Sequence, residues 1–209
     1  MAKAVLFDLD GTLLDTLADI GGAMNTVLKN ASLPTHPIAQ YKQMIGKGVR
    51  ALVEQAVPEG KFSSSLLESM REEYHLRSDQ ETSLYPGIKE MLDTLSVPCA
   101  ILSNKPQALT EKAVARFLGA WKIPVVLGAR DSVPLKPDPA GALEAAKLLG
   151  IPTSQFLYLG DTGTDMETAL AAGMQPIGAL WGFRDRYELT QAGATALLER
   201  PQELLTHLK

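Results

Sequence analysis

Hydrophobic positions fall along the chain in two patterns. Short unbroken apolar runs occupy residues 4–7, 99–102, 125–127, 156–159 and 176–179, each bounded by Gly, Pro, Asp, Ser or Asn. Runs of this length and isolation predict strands buried on both faces. Between most of them, helical periodicity covers 87–95, 107–118, 140–149 and 165–172. Alternation of the two patterns predicts an α/β fold of three layers, a parallel sheet with helices on both faces. Ligands of such sheets gather at the carboxyl ends of the strands.

Residues 15–82 break the alternation. They hold no convincing strand and read as helices over 16–31, 37–45, 48–57 and 64–80, with loops marked by Pro34, Pro37, Gly46, Gly48, Pro58 and Gly60. We expect a helical domain at 15–82, inserted into an α/β domain made of 1–14 and 83–209. The alternative is a helical extension lying flat on the sheet. The chain shows no internal repeat and no low-complexity tract.

Composition narrows the function. The 209 residues are 45% hydrophobic, enough for one good-sized domain or a core with a smaller satellite. Lys and Arg number 20 against 24 Asp and Glu, a net charge of -4 that argues against a nucleic-acid partner. Cys99 is the single cysteine, which excludes an intramolecular disulfide and a cysteine zinc site; its apolar neighbours predict a small buried side chain. His36, His75 and His207 are scattered, so a histidine-rich metal site is not expected. No signal-peptide core precedes the first strand and no apolar run is long enough to span a bilayer, so the expectation is a soluble cytoplasmic protein with no membrane partner. A phosphate-binding Gly-x-x-x-x-Gly-Lys-Ser/Thr loop is missing from the sequence.

The candidate chemistry lies at the strand ends. The first strand runs into Asp8-Leu9-Asp10-Gly11-Thr12. If the strand continues, both carboxylates point to one side, about 6.6 Å apart by the strand rise. Like charges that close repel unless something offsets them, and hard oxygen ligands suit Mg²⁺. A solvated acidic turn is the alternative, since Asp-Gly is a strong turn dipeptide. A second strand ends in Gly160-Asp161, with Asp165 four residues on, in the first turn of the next helix, where the helix dipole also favours an acid. Mg²⁺ usually takes one or two protein carboxylates, a habit that Asp8 and Asp161 fit, with Asp10 lending its backbone carbonyl. Two further strand ends carry the opposite chemistry. Ser103, Asn104 and Lys105 follow one, and Lys136 sits between prolines after another. A hydroxyl, an amide and ammonium groups can make a cradle for a phosphoryl group; taken singly, Ser-Asn also reads as loop composition and a lone Lys as a solvated charge.

These blocks, in this order over residues 4–165, resemble the four motifs of the haloacid dehalogenase-like phosphatases. Asp8-Leu9-Asp10-Gly11-Thr12 matches the first, Ser103 the second, Lys136 the third, and Gly160-Asp161 with Asp165 the fourth. Thr162 stands where many members carry Ser. The resemblance implies a Rossmann-like core with the inserted segment as a helical cap. Within the family, Ser103-Asn104-Lys105-Pro106, Lys136-Pro137-Asp138-Pro139 and Trp181-Gly182-Phe183-Arg184 are similar to the phosphoglycolate phosphatase branch.

The resemblance also implies roles. Asp8 is the nucleophile and Asp10 the acid–base partner; Asp8, the Asp10 carbonyl and Asp161 hold Mg²⁺. Ser103 and Asn104 hydrogen-bond phosphoryl oxygens, with Lys105 beside them. Lys136 supplies fixed positive charge, and Asp165 positions Lys136 or a metal-bound water. The presence of Asp10 favours the phosphoryl-transfer members over the dehalogenases. In the cap loop at 44–53, Lys47 and Arg50 are expected to meet a second anionic group such as a carboxylate, with a solvated helix connector as the alternative. Hinges are expected near 15–16 and 83–86. Trp121 and Trp181 read as packing, with pocket lining as the alternative; Met70 and Tyr74 read as cap core; and Arg184 reads as a surface residue paired with Asp185 or Glu188, with covering the edge of the site as the alternative. The expected partner is a small phosphorylated metabolite, bound by a monomer or homodimer. Pyrophosphatase, nucleotidase, sugar-phosphate phosphatase and mutase activities are alternatives, and a non-catalytic phosphate-binding module is a remote one.

Overall fold

The computed structural model describes residues 2–208. The chain opens with β1 (Ala4–Phe7) and a short β2 (Leu14–Asp15), then helices α1 (Leu17–Asn30), α2 (Tyr41–Met44), α3 (Gly48–Ala56) and α4 (Ser64–Arg77). It returns through β3 (Ser83–Leu84) to α5 (Ile88–Thr94), β4 (Cys99–Pro106), α6 (Gln107–Ala113) and β5 (Val125–Ala129). It ends with α7 (Ala140–Leu149), β6 (Phe156–Gly160), α8 (Gly163–Ala171), β7 (Gln175–Ala179), α9 (Arg186–Gln191), β8 (Ala196–Leu198) and a 3₁₀ helix, Pro201–Leu208. No helix among the described residues is long and apolar enough to cross a membrane.

Six strands form one parallel sheet in the order β5-β4-β1-β6-β7-β8. β1 lies at the centre, and its four residues are all buried, which is why it reads as an unbroken apolar run. Side-chain alternation divides it between two cores. Val5 and Phe7 join Ile101, Leu157 and Leu159 against Ile88, Met91 and Leu204. Ala4 and Leu6 join Leu102, Phe156 and Tyr158 against the alanine face of α7, Ala142, Ala145 and Ala146. The three-layer α/β architecture expected from the sequence is the one observed.

A third core lies in the helical segment, where Met24, Leu28, Tyr41, Val53, Leu67 and Met70 are buried together. β2 and β3 pair antiparallel, Leu14 with Leu84 and Asp15 with Ser83, so the chain leaves the sheet and re-enters it side by side. Asp19, 1% exposed at the start of α1, fastens the return. Its carboxylate accepts from the backbone N–H of Asp79, Glu81 and Thr82 at 3.0 Å each, and from Thr82 Oγ1 at 2.6 Å.

Several boundaries differ from the expected ones. β4 runs on to Pro106, carrying Ser103, Asn104 and Lys105 within the strand rather than after it. The helix expected over 107–118 ends at Ala113 and widens into a π-turn, Val114–Leu118. The helix expected over 37–45 is a 3₁₀ turn, Ile38–Gln40, followed by the single turn of α2. α8 begins at Gly163, two residues early, because Thr162 caps it.

Candidate functional site

The carboxyl ends of β1, β4 and β6 bring the acidic and basic groups together. Asp8 follows β1 directly; its backbone N–H donates to Leu159 O at 2.9 Å, and its side chain is buried. Lys136 Nζ donates to Asp8 Oδ1 at 2.7 Å, to Asp165 Oδ1 at 2.7 Å and to Leu102 O at 3.2 Å. Those three acceptors occupy all three N–H bonds of the ammonium. Burial pulls Lys136 toward the neutral amine, but the charges of Asp165 and Asp8 outweigh it and hold the proton firmly.

Asp165 is committed elsewhere as well. Tyr158 OH donates to Oδ1 at 3.3 Å, and Thr162 donates to Oδ2 from its N–H at 3.0 Å and its hydroxyl at 2.7 Å. This is a capping box at the start of α8. Threonine keeps the hydroxyl that serine would supply. Asp165 thus links the Lys136 ammonium to the start of α8.

Asp161 ends β6 and is fully buried. Thr12 Oγ1 donates to its Oδ1 at 3.0 Å and the Phe183 N–H to its Oδ2 at 2.7 Å. Gly11, at φ +92°, lies against this carboxylate, and an added Cβ would collide with it, so the position requires glycine. Oxygens of Asp8, Asp161 and Asp165 lie within 4.8 Å of one another. Burial, then the charge of Asp165, pushes the Asp161 carboxyl up to about 7. Asp8 is raised by the same two causes against the pull of Lys136. Three buried carboxylates facing one ammonium are short of positive charge, and their hard oxygens fit a divalent cation such as Mg²⁺.

Asp10 lines a cavity of about 60 Å³ between the sheet and the helical segment, together with Asp8, Ser103, Lys105 and Lys136. Lys105 Nζ donates to Asp10 Oδ1 at 2.9 Å and makes a short hydrogen bond to Tyr74 OH on α4. Burial works against the Lys105 charge, but Asp10 and Tyr74 outweigh it and raise its pKa. Ser103 Oγ accepts from Lys105 N at 3.2 Å, and its hydroxyl proton has no acceptor among the described residues. Asn104 lines the cavity, yet its amide is committed. Nδ2 donates to Gly46 O at 3.0 Å and Lys136 O at 3.1 Å, and Oδ1 accepts from Lys136 N at 2.9 Å. It braces the Lys136 loop and the helical segment rather than pointing a free donor inward.

The two loop cations are not in the cavity. Gly46 and Gly48 line it, but the Lys47 side chain between them is exposed to solvent. Arg50 pairs with Glu54 at 2.9 Å, lies over the Phe62 ring and faces an outer groove. Met70 and Tyr74, expected only as core of the helical segment, also line the cavity. Arg184 pairs with Glu188 at 3.1 Å as foreseen, but its side chain is only 8% exposed. It donates to the carbonyls of Lys42, Gln43 (3.3 Å) and Ile45 (2.8 Å), tying the loop after β7 to the helical segment. Trp181 packs on the sheet core and donates from Nε1 to Thr12 O at 2.9 Å. No sequence period marks the contacts of Arg184 with these carbonyls or of Trp181 with Thr12; each joins parts of the chain more than a hundred residues apart.

Residues 5–179 match the haloacid dehalogenase-like hydrolase family. The phosphoglycolate phosphatase of Xanthomonas campestris pv. campestris is 32% identical over 209 residues, which cover 97% of this chain and 94% of that protein. The phosphoglycolate phosphatase of Pseudomonas syringae pv. tomato is 29% identical, over 98% of this chain and 79% of its own length. A solved hydrolase, a haloacid dehalogenase-like family protein from Streptococcus pneumoniae, has the same fold, with a TM-score of 0.91 at 22% identity and coverage of 100% of this chain and 99% of that one.

Proposed function

The chain belongs to the haloacid dehalogenase-like hydrolase family, and we propose that it hydrolyses 2-phosphoglycolate to glycolate and phosphate through a phosphoryl group carried on Asp8. One arrangement supports this above all: a buried carboxylate at the end of the central strand, gripped at Oδ1 by Lys136, with Asp10 on the wall of the same cavity.

In the proposed reaction Lys136 holds Oδ1 of Asp8 and leaves Oδ2 to attack. A bond forms from Oδ2 to phosphorus as the bond from phosphorus to the ester oxygen breaks. Asp10 gives its proton to that oxygen, which leaves as the hydroxyl of glycolate. Asp10, now a carboxylate, takes a proton from a water as that water attacks the phosphorus. The Asp8 oxygen–phosphorus bond breaks and phosphate is released. Ser103 donates its free hydroxyl proton to a phosphoryl oxygen, and Lys136 balances charge on the nucleophile. Asp8, the Asp10 carbonyl and Asp161 would hold Mg²⁺, which supplies positive charge against the anionic phosphoryl oxygens. The helical segment acts as a cap that excludes water from the cavity.

Phosphate release from 2-phosphoglycolate, pyrophosphate, nucleoside monophosphates, β-glucose 1-phosphate and an aryl phosphate tests the reading, with Mg²⁺ and with chelator. Metal-dependent release favouring phosphoglycolate is expected. Equal release across the panel would leave the mechanism and remove the substrate. Release from none would remove both.

A further inference from the structure

The part of the cavity that would face a leaving group is mostly apolar. The helical segment contributes Ile20, Ile45, Val49, Leu52 and Met70, and a single hydroxyl, that of Tyr74. Charges available to read a second anionic group are therefore few. Lys47 and Arg50 lie outside it. Lys136 has every N–H occupied, and so has the Asn104 amide.

Lys105 differs from these. Its side chain is 4% exposed and lines the cavity. Asp10 Oδ1 takes one N–H and Tyr74 OH a second; the third has no acceptor among the described residues. Asp10 must reach the ester oxygen to protonate it, and Lys105 Nζ is 2.9 Å from Asp10. A charged group on the carbon bonded to that oxygen would lie beside the free N–H.

We propose that Lys105, seated by Tyr74, is the specificity-determining residue that receives a carboxylate borne on the carbon next to the ester oxygen. Apolar walls strengthen the pairing by excluding water. The same walls leave the hydroxyls of a sugar or nucleoside without partners, which selects against them. The inference rests on the phosphoester hydrolase reading above and specifies its substrate contact.

The test is the ratio of kcat/KM for 2-phosphoglycolate to that for 2-hydroxyethyl phosphate, its neutral counterpart. Lys105→Met should lower that ratio by at least about tenfold, the scale of a lost charge-assisted hydrogen bond. Lys105→Arg should keep it within about threefold of wild type, since a cation remains. Lys47→Ala and Arg50→Ala should leave it unchanged. Lys105 also holds Asp10, so both rates are expected to fall in Lys105→Met; a residue that only positions Asp10 would lower them equally. An unchanged ratio in a wild-type background that prefers phosphoglycolate would overturn this inference and spare the hydrolase reading. Should Lys105→Met fail to fold, Tyr74→Phe removes one hydroxyl from the same cluster and should still lower the ratio about threefold or more. A wild type that turns over both esters equally would remove the carboxylate contact, and one that turns over neither would remove the hydrolase reading with it.

Discussion

Asp8 and Asp161 are carboxylates kept out of water, and the consequence is measurable. If Asp8 is the nucleophile as proposed, Asp8→Asn, which keeps its shape, should lower phosphate release at least about a thousandfold. Retention of more than about a tenth of the wild-type rate would refute its role. Asp10→Asn should stop turnover of esters with poor leaving groups and spare activated aryl phosphates in the first step, because only the former need a proton as they leave. Proton binding supplies a separate check. Asp161 is pushed up to about 7 by burial and by Asp165, while the same group in the unfolded chain titrates near about 4. Between those values the folded protein binds more protons than the unfolded one, so its stability falls as pH rises through the window. Without divalent cation, the thermal midpoint should therefore drop from about pH 5 to about pH 8. Mg²⁺ should raise it more at the higher pH, where protons no longer compete, and Asp161→Asn should flatten the dependence. At this scale the acids were legible because each follows an apolar run; the commitments of the Asn104 amide and of Arg184 to the carbonyls of the helical segment were not, because those partners are remote in sequence.

The elements show the same division. β1, β4, β5, β6 and β7 could be read because each carries a short apolar run, the mark of a strand covered on both faces, although β4 runs on through Ser103, Asn104 and Lys105. β2, β3 and β8 span two or three residues each, too short to display a period. Their positions follow from tertiary pairing alone. The return of the chain from the helical segment depends on Asp19, an acid in the first turn of α1 that nothing in its local sequence distinguishes. Asp19→Ala would leave three part-buried backbone N–H groups without their acceptor. We expect a loss of about 2–4 kcal/mol, read from urea unfolding, since hydrogen bonds to a charged group each contribute about 1.5–3 kcal/mol and do not add fully. A loss below about 0.5 kcal/mol would show that water replaces the carboxylate without cost.

Across the whole molecule, the site is a seam. The strand ends of the sheet and the helical segment both line the cavity, with Arg184, Asn104 and Lys105 crossing between them. Arg184→Ala should loosen that seam: amide exchange should speed up at residues 41–46, where its acceptors lie, and stay slow in β1. The family and its sheet were legible from four short motifs. The seam was not, because it is made by loops folding onto one another. The central claim remains that Asp8 carries the phosphoryl group, and one experiment addresses it. In Asp10→Asn an aryl phosphate can still react, but no base remains to activate water, so the phosphorylated enzyme should accumulate. Rapid quenching with Mg²⁺ present, followed by peptide mass analysis, should find one phosphoryl group on Asp8. Phosphate release with no phosphoryl group on that peptide would contradict the account.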